Sequence, residues 1–110
     1  MGLSMEGLAF ERKFLFKHLD DTSQAAREAS QGSAHVFNDL STLSRVESTI
    51  FSRGTFTGTR DGFGRYGFRF DKPIGTRIAN DGTRTPLQYG ELKLRTDGSG
   101  LYHVIPRTGP

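Results

Sequence analysis

The chain has 110 residues, 34% of them hydrophobic, with 14 Gly, nine Phe and no Cys. This bounds it to one domain and excludes disulfides, thiolate nucleophiles and Cys-based zinc sites. The net charge of +3 hides an asymmetry: residues 1–51 carry five basic and seven acidic side chains, residues 52–110 ten basic and five acidic. No apolar run approaches the roughly 18 residues of a membrane span, so no membrane anchor is expected.

Residues 1–7 have no charged region followed by an apolar one and read as a lead-in, with a single domain over 8–110. From about Leu8 to Ser30, Phe10, Phe14, Leu15 and Leu19 recur at near-helical spacing and predict a first helix. His18, amid Lys and Asp, reads as a surface residue of that helix. His35-Val36-Phe37 is a short extended piece or a helical lead-in. A second helix is predicted from about Ser41 to Ser52, with Ser41 as its cap and Leu43, Val46 and Ile50 as its apolar stripe.

The segment Gly54–Gly67 holds five Gly, two Arg and three aromatics in 14 residues. It reads as a Gly-rich loop whose amides can approach phosphates, with Arg60 as a phosphate contact and Phe63 and Tyr66 as stacking platforms. A merely flexible hairpin is the plainer reading of the same residues. Beyond it the period becomes two. Strands are predicted at Arg65–Phe70, Gly75–Ala79, Leu87–Arg95 and Leu101–Ile105. Asn80-Asp81-Gly82 and Thr96–Gly100 are turns, and Pro106 is the stop. The fold expected is α+β: two N-terminal helices packed on a four-stranded, twisted antiparallel sheet.

Strand alternation gathers Arg65, Arg69, Tyr89, Glu91, Lys93, Arg95 and His103 on one sheet face. It leaves Phe68, Phe70, Leu92, Leu94, Tyr102 and Val104 for the helices. A face of that kind carries what metal-independent RNA cleavage needs. Glu91 can take the 2′-OH proton and His103, or alternatively His35, can protonate the leaving oxygen. Arg65, Arg69 and Lys93 can neutralise the phosphate, and Tyr89 can position it or stack on a base. Arg95, Arg107 and Thr108 complete the expected substrate contacts. The plainer reading is a structural His103 and a cross-strand ion pair at Glu91. The three His lack metal-ligand spacing and the acidic clusters of a two-metal nuclease are absent, so neither metal nor cofactor is expected.

Three segments, Arg65–Gly75, Pro86–Lys93 and Tyr102–Thr108, resemble the C-terminal toxin domains of bacterial polymorphic and contact-dependent inhibition systems, over about residues 35–110. Many such domains share the barnase/EndoU/colicin/RelE type of ribonuclease fold. The resemblance implies a toxin cleaving RNA, with tRNA and rRNA as candidate targets, delivered within a larger effector to the target-cell cytoplasm. By similarity to barnase, Glu91 and His103 would be the acid–base pair. By similarity to RelE-like members, Arg65 or Arg69, Lys93 and Tyr89 would act. A cognate immunity protein covering the cleft is implied as partner. Two other functions are compatible with the residues. One is a non-catalytic nucleic-acid-binding module. The other is an ADP-ribosyltransferase-like toxin using Arg53-Gly54-Thr55 and a strand Glu, although Lys93 stands where the second acid of a Glu-x-Glu pair would be.

Overall fold

The computed structural model describes residues 5–110, so most of the expected lead-in lies outside the described residues. A short strand, β1 (Ala9–Phe10), is followed by two 3-10 turns at Arg12–Phe14 and Phe16–His18. Helix α1 (Ser23–Ser30), strand β2 (Ser33–Phe37) and helix α2 (Leu40–Arg53) come next. Six strands complete the chain: β3 (Thr55–Arg60), β4 (Phe63–Arg69), β5 (Gly75–Ala79), β6 (Arg84–Leu87), β7 (Tyr89–Arg95) and β8 (Leu101–Arg107).

These strands form two sheets, which overturns the expected single four-stranded one. A five-stranded sheet runs in the order β1-β8-β7-β4-β3, and a three-stranded sheet in the order β2-β5-β6. The large sheet is not purely antiparallel, since β1 lies parallel to β8. One helix, α2, packs on the large sheet; α1 lies against β2 of the small one.

The predicted helix over Leu8–Ser30 fails for local reasons. The backbone on either side of Phe10 is taken by the edge of the large sheet: the Ala9 amide donates to Gly100 O at 2.9 Å and the Glu11 amide to Tyr102 O at 2.7 Å. Downstream, Asp21 has φ of 61°, which breaks helical progression. Thr22 then accepts from the Ala25 amide at 3.1 Å and starts α1 afresh. The apolar stripe is real, but it is spent on short pieces that fold back over the sheet.

Three further corrections follow from backbone pairing. The Gly-rich segment contains a strand, β3, because the open edge of β4 needs a partner. The predicted strand Leu87–Arg95 breaks at Gln88, where the chain passes from one sheet to the other; Ile74 N donates to Leu87 O and Phe70 N to Gln88 O. Pro106 does not stop β8. Beyond Leu101 and Tyr102 the β1 side of that strand is open, and an edge tolerates a residue without an N–H.

The main core lies between α2 and the inner face of the large sheet. Leu43, Val46, Ile50 and Phe51 of α2 meet Leu92, Tyr102 and Val104, with Phe37 and Ile74 closing the end. Gly90 permits this approach: a Cβ there would come within 2.7 Å of Val46 Cγ1. A second, smaller cluster of Ala25, Ala29, Ala34 and Val36 joins α1 to β2.

Candidate active site

The face of the large sheet opposite α2 is the polar one, and the registers determine who shares it. Arg69, Gly67, Arg65 and Phe63 of β4 stand beside Tyr89, Glu91, Lys93 and Arg95 of β7. Arg107, Ile105 and His103 of β8 flank β7 on its other side. Arg65, Arg69, Tyr89, Glu91, Lys93, Arg95 and His103 therefore lie on one face. Tyr66 does not: it pairs with Leu92, on the core side, and packs on Phe56 at 5.2 Å.

Glu91 is the centre of this face and is 0% exposed. Arg65 Nη1 donates to its Oε1 at 3.1 Å, and Arg107 Nη1 to Oε1 and Oε2 at 3.0 and 3.1 Å. A buried carboxylate needs such partners to remain charged. Its place opposite a glycine matters, because Tyr89 lies across Gly67. A Cβ on Gly67 would meet the Tyr89 hydroxyl oxygen at 1.6 Å. Burial and the nearby Glu91 push the Tyr89 phenol upward, so it is protonated at neutral pH. Arg69 is exposed and stacks over the Tyr89 ring at 5.4 Å.

Lys93 is half-buried over the Phe63 ring, at 4.9 Å. Burial, and then the Arg65 charge, hold its ammonium below the usual lysine range. His103 is 3% exposed beneath the 3-10 turns. Its ring stacks on Phe14 at 4.1 Å, meets Phe63 edge-on at 5.4 Å and runs parallel to His18 at 6.3 Å. Burial, reinforced by His18 and Lys93, lowers its pKa to about 3, so it is neutral. Burial likewise lowers His18 to about 4. The His18 Nδ1–H donates to His35 O at 2.8 Å, which leaves the lone pair on Nε2.

His35 enters from the small sheet. It pairs with Arg77 across β2 and β5 and is half-buried. Burial, then the charges of Arg77 and Arg107, hold it below the usual imidazole range. Lys17, His18, Glu28, Ser33, Ala34 and His35 line a pocket of about 200 Å³ at this junction. Arg107, on the large sheet, lies within electrostatic reach of His35 on the small one and of Lys93 near it, and with Arg65 and Arg77 these residues make one cationic surface, the groove. Its one buried carboxylate is already matched by two arginines.

The remaining expected contacts are spread out. Arg95 is held by Glu11 through bonds of 2.8 and 2.7 Å. Arg60 is exposed at the end of β3, and Thr108 contributes its backbone oxygen to Arg69 at 3.4 Å. His18, Lys17 and Arg77 belong to the groove but carried no sequence signal for it. His18 sits there because a 3-10 turn replaces a helix, and Arg77 because β5 pairs with β2. Among the described residues no group of three or more His, Asp or Glu converges to hold a metal ion. No helix among them is long and apolar enough to cross a membrane.

Fold and groove together define a small α+β protein with two sheets and a cationic, histidine-bearing face. Residues 6–110 match the family described as a domain of unknown function, DUF6972, and the chain belongs to that family. No curated protein and no solved structure matches the chain.

Proposed function

We propose that this protein is a metal-independent endoribonuclease toxin whose groove binds one phosphodiester between the two sheets. The observation that carries the reading is the position of Arg107. It lies within electrostatic reach of both His35 and Lys93 while bonded to Glu91. A phosphate on Arg107 would have an imidazole that is neutral at neutral pH on one side and an ammonium of lowered pKa on the other. In this reading neutral His35 takes the 2′-OH proton and the 2′ oxygen forms a bond to phosphorus. The bond from phosphorus to the 5′ oxygen breaks, and Lys93 protonates that oxygen, leaving a cyclic phosphate. Arg65 and Arg107 stabilise the added charge.

Glu91 and His103 take different parts from those expected by similarity to barnase. Both are enclosed, so Glu91 acts as a positioning residue that fixes the two arginines, and His103 as a packing residue under Phe14. The uncompensated cationic groove also suits an acidic immunity protein, and the toxin reading carries delivery within a larger effector with it.

Total RNA incubated with the protein in EDTA should yield fragments ending in cyclic or 3′ phosphates. His35→Ala and Lys93→Met should each slow cleavage by about 10²–10⁴-fold with an unchanged circular dichroism spectrum. Cleavage that needs a divalent cation, or that survives both substitutions, would overturn the mechanism. The enclosure of Glu91 and His103 favours one second reading, a nucleic-acid-binding module that leaves the strand intact. RNA retained on the protein and recovered uncut would establish it.

A further inference from the structure

The edge strand β3 is irregular at one point, and the irregularity makes a pocket. The register with β4 shifts between Phe56 and Gly58, and Gly58 has φ of 131°. Such a bulge leaves an unpaired residue and turns the strand edge outward. The resulting pocket, of about 320 Å³, is lined by Thr57, Gly58, Thr59, Arg60, Arg65 and Pro110. Gly58 faces Arg65 and Arg60 faces Phe63 across the ladder, so the pocket opens on the same sheet face as the groove.

Its chemistry is that of an anion site. Arg60 is exposed and makes no ion pair or side-chain hydrogen bond among the described residues. Arg65 is 7% exposed, and its Nε–H is buried with no hydrogen-bond acceptor among the described residues. A buried donor without an acceptor is costly and marks a place where one is needed. Arg65 Nη1 is committed to Glu91 at 3.1 Å, while Nη2, on the same edge as Nε, has exposed Asp61 at 3.8 Å. Thr57 already donates to Arg65 O at 3.3 Å, so the two arginines are the cationic donors the pocket offers a ligand.

We infer that the β3 bulge is a second phosphate subsite, taking the phosphodiester next to the one at Arg107. This rests on the endoribonuclease reading for the identity of the strand. β3 lies three strand spacings, about 14 Å, from β8, which carries Arg107, and the gap between the charges is narrowed because Arg65 and Arg107 both reach Glu91. Arg65 joins the two subsites, with Nη1 on Glu91 in the groove and its unpaired Nε–H beside the bulge pocket it lines.

Nuclear magnetic resonance on the full chain tests it, following the amides of Thr57, Gly58, Thr59 and Arg60. Titration with a short uncleavable 2′-O-methyl oligoribonucleotide should shift these amides saturably, and Arg60→Ala should weaken its binding about tenfold. Inorganic phosphate should shift the same amides, and Arg60→Ala should abolish that response while His35→Ala preserves it. Shifts with phosphate but none at the bulge with the oligonucleotide would make this a free-anion pocket and overturn the inference. RNA cleavage in EDTA together with a silent bulge would also overturn it, while leaving the endoribonuclease reading in place. A bulge that binds the oligonucleotide in a protein that cuts no RNA would support the subsite and sink the nuclease.

Discussion

His18 and His103 are kept neutral by burial, and that has a cost when the pH falls. The unfolded chain protonates both as pH drops through about 6.5, whereas the folded protein resists until about 4 and about 3. The unfolded state then holds more protons, so stability is complete above pH 6.5 and declines as pH falls toward 4. The loss is up to about 1.4 kcal/mol per pH unit for each histidine. Asp20, which Arg84 holds below the usual carboxylate range, adds its loss only at lower pH. Urea midpoints between pH 7.5 and 4.5 should show the decline. His103→Phe, which keeps a ring against Phe14, should flatten it; an unchanged slope would show that His103 is not a source. Gly67 is the other residue whose identity is forced. Gly67→Ala should displace the Tyr89 ring and cost about 1–3 kcal/mol in urea denaturation. A cost near zero would mean that Tyr89 moves freely.

Among the elements, α1 depends on one residue more than on its own sequence. Thr22 accepts from the Ala25 amide while its hydroxyl donates to Leu19 O at 2.9 Å, tying the helix to the 3-10 turns. Thr22→Val should cost about 1 kcal/mol and lower the melting temperature measurably. At α2 the sensitive point lies on the sheet. Gly90→Ala would press on Val46, Phe70 and Ile50 and should cost about 1–3 kcal/mol. How far these elements could be read from the sequence follows from their chemistry. The strands β4, β7 and β8 announce themselves by alternation, and so the polar face was legible with its members Arg65, Glu91, Lys93 and His103. The α2 stripe was legible because Leu43, Val46 and Ile50 repeat at helical spacing and all face the core. The N-terminal segment was not, because the spacing of Phe10, Phe14, Leu15 and Leu19 is the same whether one helix or three short pieces use it. The second sheet was hidden too, since a one-residue break at Gln88 carries no Pro or Gly. With it went the electrostatic coupling of His35 to Arg107, which joins the two sheets and which no local pattern encodes.

On the scale of the whole molecule, charge separates along the chain and then gathers in space. The ten basic side chains of residues 52–110 against five acidic ones supply most of the groove and the bulge. If the groove and bulge together engage two phosphates of a single strand, affinity should fall about sevenfold between 50 and 200 mM salt. Fluorescence anisotropy with a labelled 2′-O-methyl oligonucleotide measures the slope, and binding indifferent to salt would remove the backbone from the account. Strand β8 supplies Arg107 and His103 and joins β7 to β1, so the cationic surface is incomplete until it is in place. A ribosome that has not yet released Arg107 therefore carries a nascent chain without the groove. Any activity the groove has would in turn wait on the docking of that strand against β7.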